Sequence, residues 1–257
     1  MANEKNSFPP FINPLIGSKN KPRDCLTPII IGFLLPIIIL AGFVVRGYSL
    51  AVDEAVLAAA LNSILLAAGV AVCVMASAAF MGVVTTYQGS VTLRRLTAVS
   101  SIGYAFPGTI LAIGVVTAAG ALDDSIGKIL GSLFGTNYHG VFSGGIGLVL
   151  LACVIRFQAI GYGAVTTGLG RLPPHMMDVS RTLGHGFGAS LWKVVIPLVR
   201  SSLVAGGLLV FVDVMKELPM TLLLRPFNFE TLATYVYQFA KDELLEEAAL
   251  PALTIIL

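Results

Sequence analysis

The stretch AVLAAALNSILLAAGVAVCVMASAAFMGVV, residues 55–84, decides the fold class. It is 30 residues long, and its conspicuous polar groups are Asn62 and Ser63. A bilayer core of roughly 30 Å needs about 20 apolar residues in a helix, so this run crosses a membrane with room for a short interfacial turn. Four further runs have similar character: 26–45, which contains Pro28 and Pro36, then 98–122, 141–162 and 203–224. A last apolar run, 248–257, rises only about 15 Å and reads as a sixth span cut short. The fold class is therefore all-α: a polytopic transmembrane helix bundle of five complete spans plus a truncated sixth. Residues 1–25 form an N-terminal tail, and 26–257 the transmembrane domain.

Composition agrees. The chain has 257 residues, 56% hydrophobic and 12% charged, with a mean hydropathy of +0.88. Soluble domains run about 45–50% apolar and about 25% charged. Charge this sparse cannot cover a water-soluble globule, which excludes a soluble enzyme, and the apolar content excludes a disordered chain. The net charge of +2 makes no case for nucleic acid. Cys25, Cys73 and Cys153 lie far apart and are odd in number, which indicates neither a disulfide framework nor a metal knuckle. His139, His175 and His185 match no ligand spacing, so no metal ligand is assigned.

Lys19, Lys21 and Arg23 precede the first run in the manner of a signal peptide. That run is longer than a signal core, and VVRGYS after it lacks a small-x-small cleavage site, so it reads as an uncleaved span. Basic residues set the orientation. With the N-terminus in the cytoplasm, Lys5, Lys19, Lys21, Arg23, Arg94, Arg95, Arg171, Arg181, Lys193 and Arg200 fall inside. Arg46, Lys128, Arg225 and Lys241 fall outside, a ratio of ten to four.

Between the fourth and fifth runs lies a cytoplasmic loop, about 164–201, too long for a connector. Its core, PPHMMDVSRTLGHGFGASLWKVVIPLVRSSL, reads as two short helices around a glycine bend. Pro173 and Pro174 mark a helix start, Asp178 sits in the first turn, and Leu183 closes the helix before Gly184. A second helix starts at Ala189 or Ser190 with Leu191, Val194, Val195 and Leu198 on one face, and Pro197 bends the approach to the fifth span. On physics alone a surface-lying amphipathic hairpin explains it equally well.

The same segment resembles the EAA loop of ABC-importer membrane subunits. That pattern has Glu-Ala-Ala, a glycine six positions after the Glu, and Ile-x-Leu-Pro ten positions after the glycine. Here Asp178-Val179-Ser180, Gly184 and Val194-Val195-Ile196-Pro197 keep the spacing with conservative replacements. SIGYAFPGTILAIGV (101–115) and VFVDVMKELPMTLLLRPFNFETLATYVYQFAKDELLEEAALPAL (210–253) are similar to the C-terminal half of iron(III) ABC-transporter permeases. The likeness runs from the second span onward and is weak over the first 50 residues. Members of that family carry two such bundles in one chain, so this sequence is expected to be a split permease or a fragment.

The resemblance implies a permease in the bacterial cytoplasmic (inner) membrane. It would work with ABC ATPase subunits, an extracytoplasmic substrate-binding protein and a second permease bundle, either a homologous half or another copy. Asp178, Val179, Ser180, Gly184, Val194, Ile196 and Pro197 would form the surface gripped by the ATPase. No G-x-x-x-x-G-K-[ST] loop is present, so ATP is expected on the partner subunit, with no catalytic residue and no cofactor on this chain.

The fifth run carries Asp213, Lys216 and Glu217. Facing lipid, three such charges would cost roughly 8–10 kcal/mol, against about 4–7 kcal/mol returned by the Leu, Val and Phe residues of the run. They must turn inward or pair. Asp213 and Lys216 are spaced to pair, positions 213, 216, 217 and 220 share a helical face, and Pro219 frees the Met215 carbonyl. A translocation path or gate and a structural clasp explain this set equally well. Tyr104, Pro107 and Gly108 weaken the third span and form a candidate hinge, with a packing kink as the plainer reading. Arg156 reads as a side chain snorkelling to the interface, or else as a partner for an acid on the loop. The acidic stretch 226–247 reads as an interfacial helix, with an iron entry site of carboxylate and phenolate oxygens and an acidic face for a substrate-delivering partner as the functional alternatives.

The sequence thus leads to the membrane subunit of an ATP-driven iron(III) importer. The alternatives are an ABC permease for another small solute and an ion-coupled carrier using Asp213, Lys216 and Glu217.

Overall fold

The computed structural model describes residues 26–28, 30–48, 54–89, 91–134, 144–173 and 175–256. The N-terminal tail with Lys5, Lys19, Lys21, Arg23 and Cys25 lies outside them, as do His139 and Pro174. Among the described residues every regular element is a helix, and there is no strand. In chain order they form α1 (Leu35–Phe43), flanked by π-helical turns Ile30–Leu34 and Val44–Tyr48, then α2 (Glu54–Gln88) and α3 (Val91–Ser100). A 3₁₀ turn (Ile102–Ala105) leads to α4 (Gly108–Phe134), α5 (Ile146–Leu169), α6 (Met176–Thr182) and α7 (Phe187–Ser190). A π-helical turn (Leu191–Val195) then joins α8 (Ile196–Met215), followed by α9 (Pro219–Leu224), α10 (Leu232–Lys241) and α11 (Leu245–Ile256).

Five helical stretches are long and apolar enough to cross a membrane: Leu26–Arg46, Glu54–Tyr87, Gly108–Ile129, Ile146–Leu169 and Phe187–Met215. By length and composition this is a multi-pass membrane protein. Its outward apolar side chains suit lipid, with Leu65, Val72, Phe80 and Leu208 all at least 60% exposed. An apolar surface that extensive has no place in water.

Several span boundaries differ from the sequence reading: the third runs on to Ile129 and the fourth to Leu169, past the expected 122 and 162. The third span begins at Gly108 instead of near residue 98, because Phe106 is extended and Pro107 cannot continue a helix from α3. The fifth ends at Met215 instead of running on to Leu224, and it is already helical from Phe187. Prolines mark where that helix ends and where its inner part, α8, begins. Pro219 removes a donor and starts α9 afresh. Pro197 follows the wide turn Leu191–Val195, just as Pro36 follows Ile30–Leu34, and widening the preceding turn makes room for the ring.

The centre of the bundle is α2, α5 and α8, packed pairwise. Lipid is as apolar as leucine, so close packing and polar bonds hold such helices together. Small residues permit the approach: a Cβ on Gly161 would stand 2.5 Å from Val74, and one on Gly206 2.6 Å from Ala164. Val70, Val74, Val149, Phe157 and Val210 fill the middle. Asn62 and Ser63, the polar pair of the second span, bind the far end of the chain. Asn62 donates to the Glu230 carbonyl at 3.0 Å, and the Leu232 amide donates to Ser63 Oγ at 2.7 Å. The acidic stretch 226–247 is not one helix. It holds α10 and the start of α11, separated by Asp242–Leu244, with Glu243 at φ 63°.

Candidate functional site

Two places collect the residues singled out in the sequence. The first is an arm packed against the bundle, built from α6, α7 and the turn to Val195. Gly184 sits at φ +84°, a left-handed conformation that costs other residues roughly 1–2 kcal/mol, and it stops α6 just after Leu183. The chain reverses there, and Ser180 Oγ meets Ser190 Oγ at 2.7 Å in a buried hydrogen bond that ties the two short helices together. The second helix begins at Phe187, two residues before the predicted start. Tyr87 of α2 supports it, its ring 6.2 Å from that of Phe187.

Met177 and Val195 anchor the arm in the bundle, while Val179 (56% exposed) and Leu183 (74%) point away from it. Between its helices lies a mainly apolar cleft of about 470 Å³ lined by Met176, Val179, Leu183 and Val194 among others. The seven predicted loop residues therefore divide. Asp178, Val179, Gly184 and Pro197 are exposed, Val194 and Ile196 are half-buried, and Ser180 is internal. Ser180 shapes the arm and cannot itself be gripped.

The second place is a junction of two helix breaks. Glu217 follows the end of α8 and is only 8% exposed. Its amide donates to the Val214 carbonyl, and its carbonyl accepts from Thr221 Oγ1 at 2.9 Å. Its carboxylate Oε1 accepts from the Met220 amide at 3.3 Å. On the other side of that carboxylate is Arg156 of α5, 3.7 Å away and 81% buried as a side chain (19% exposed). Arg156 thus neither snorkels nor pairs with the loop; its partner is the acid at the end of the fifth span. The guanidinium also lies 5.8 Å from the centre of the Phe157 ring.

The candidate hinge closes over this pair. A Cβ on Gly108 would strike Arg156 Nη1 and stand 3.0 Å from Glu217 Oε1, and one on Gly103 would strike the Ile155 carbonyl. Tyr104 packs its ring 6.4 Å from Phe157. Only glycines allow the 102–108 segment to lie this close to α5.

The shared face expected for 213, 216, 217 and 220 does not form, because the helix stops at Met215. Asp213 and Lys216 do pair, at 2.9 Å, but Lys216 is 59% exposed while Glu217 and Met220 turn inward. Chemically the junction is unsaturated. Among the described residues, Arg156 Nε and Nη1 are buried without a hydrogen-bond partner, and 3.7 Å is an ion contact too long for a hydrogen bond.

Sequence reasoning missed the Arg156–Glu217 pair because the residues lie on separate helices. The available signal was that a basic and an acidic residue each interrupt an apolar run, and in a membrane such groups seek each other. Beyond the far end of α9, Glu230 forms an ion pair with Arg225, and Thr234 Oγ1 donates to it at 2.9 Å.

No protein-family model matches the chain, and no curated protein matches it.

Proposed function

We propose that this chain is the membrane-spanning subunit of an ATP-driven importer in the bacterial cytoplasmic membrane. Its N-terminus is cytoplasmic, and its cargo is iron(III), as the resemblance of 101–115 and 210–253 implies. The observation that carries the reading is the arm: a helix pair bent at Gly184, tied by Ser180–Ser190, with Val179 and Leu183 held out from a bundle of five apolar helices. A rigid protrusion of that shape moves as a body, so a push at its tip reaches α8 through Val195 and Pro197. The helix α8 ends at the Arg156–Glu217 junction, so motion of the arm is delivered to a buried ion contact whose guanidinium nitrogens lack hydrogen-bond partners among the described residues. ATPase subunits beneath the arm, a second bundle beside it and an extracytoplasmic binding protein complete the machine.

Energy source gives the test. In cells or vesicles, collapse of the proton gradient with ATP preserved should leave uptake intact, and depletion of ATP should abolish it. Uptake that follows the gradient instead would transfer the assignment to an ion-coupled carrier.

A further inference from the structure

A polar seam runs between α2, α3 and α5. Ser77, Met81 and Thr85 recur at four-residue spacing on α2, and Gln158, Tyr162 and Thr166 do so on α5, so each set forms a stripe on one helix face. The stripes meet. Ser77 Oγ donates to Gln158 Oε1 at 2.8 Å, Gln158 Nε2 donates to Met81 Sδ at 3.5 Å, and Ser100 Oγ of α3 reaches the same sulfur at 3.7 Å. Further along, Tyr162 OH lies 3.3 Å from Thr85 Oγ1 and 3.4 Å from Thr97 Oγ1.

Polar glue between membrane helices closes up, and this seam instead opens. Its arm-bearing end is a cleft of about 430 Å³ lined by Thr85, Thr86, Thr97, Ala98, Tyr162 and Thr166. That volume falls within the range of small-molecule sites, about 300–1,000 Å³. Thr85 and Thr166 donate their protons to their own helix, to the Met81 and Tyr162 carbonyls at 2.9 Å each. Their oxygens remain as acceptors toward the cleft. The Tyr162 contacts are long for O–H···O bonds, which usually measure about 2.7–2.8 Å. The phenol donates to Thr97 over that long distance, so an acceptor placed in the cleft competes for its proton. Among the described residues, none of the lining side chains carries a formal charge. A multivalent cation would need carboxylates there to offset its dehydration.

We propose that this cleft binds an uncharged, hydrogen-bonding solute bearing hydroxyl or amide groups, which takes the place of water between Thr85, Tyr162 and Thr166. The site stands whether or not the arm couples to an ATPase. If the cargo is iron, the part of it that passes here is an organic chelator and not the bare ion.

The test uses the full chain in lipid nanodiscs, with Cys25 and Cys73 replaced by Ser and Cys153 by Ala, and Thr166→Cys as the reporter. Modification by uncharged hydroxyethyl methanethiosulfonate should run roughly ten-fold or more faster than at Phe80→Cys, a lipid-facing control 71% exposed, because lipid withholds the reactive thiolate. Excess myo-inositol or acetamide should slow it roughly three-fold by mass action. Adding Tyr162→Phe should erase that protection and leave the rate high. If Thr166→Cys fails to insert, Thr86→Cys on the exposed rim serves. A rate equal to the Phe80 control, fast labelling that neither probe slows, or equal protection by choline chloride would each overturn the proposal.

Discussion

The arm and the junction are opposite solutions to placing a bend in a helical membrane protein. In the arm, one glycine at φ +84° makes the turn, a serine pair fastens it, and apolar side chains are left outside. At the junction, two breaks are covered by other helices and pinned by a buried ion pair with unsatisfied guanidinium nitrogens. The arm is tied internally and leaves apolar side chains exposed, whereas the junction is enclosed and leaves guanidinium nitrogens unpaired among the described residues. Under the proposed function, the first is the docking element and the second the moving part.

The largest effect that would break this contrast concerns the junction. Arg156→Met leaves Glu217 buried without its ion partner and should destabilise the protein by about 3–5 kcal/mol, read as lost folded yield and a lower Tm in detergent. Adding Glu217→Met should recover most of it, since replacing both ions by apolar groups is often neutral. A single variant as stable as the parent would mean the pair does not hold the breaks together. Next comes the arm. Gly184→Val should cost roughly 1–2 kcal/mol and insert normally, yet lose ATP-driven uptake because the tip is re-aimed. Full uptake by that variant would remove the mechanical difference between the two regions. The smallest effect belongs to Lys216→Met. Its pair with Asp213 is more than half exposed on the lysine side, so the change should cost only about 0.2–1 kcal/mol and leave uptake near normal. A severe defect there would restore Lys216 to the gate.

The spans were legible because crossing a bilayer is a matter of length, and a run such as 55–84 cannot be hidden. The turn at Gly184 was legible because left-handed backbone selects glycine. What the sequence concealed was partnership across helices. Pro219 was visible as a disturbance, but a kink and a full stop look alike until the amide of Glu217 is seen closing on Val214. Arg156 looked peripheral because its acid lies on another helix. The stripes through Ser77 and Thr85, and through Gln158 and Thr166, were written at four-residue spacing. Hydroxyl residues are so well tolerated in membrane helices that nothing singled them out before their faces met.

The central claim is that the arm is held by a nucleotide-hydrolysing partner. Val179→Cys, at the exposed tip, should be crosslinked in intact membranes, with Cys25 and Cys73 replaced by Ser and Cys153 by Ala, and the product identified. Capture of an ATPase subunit, with a yield that changes when nucleotide is added, is the expected result. Crosslinks that reach only lipid, or only another copy of this chain, would contradict it.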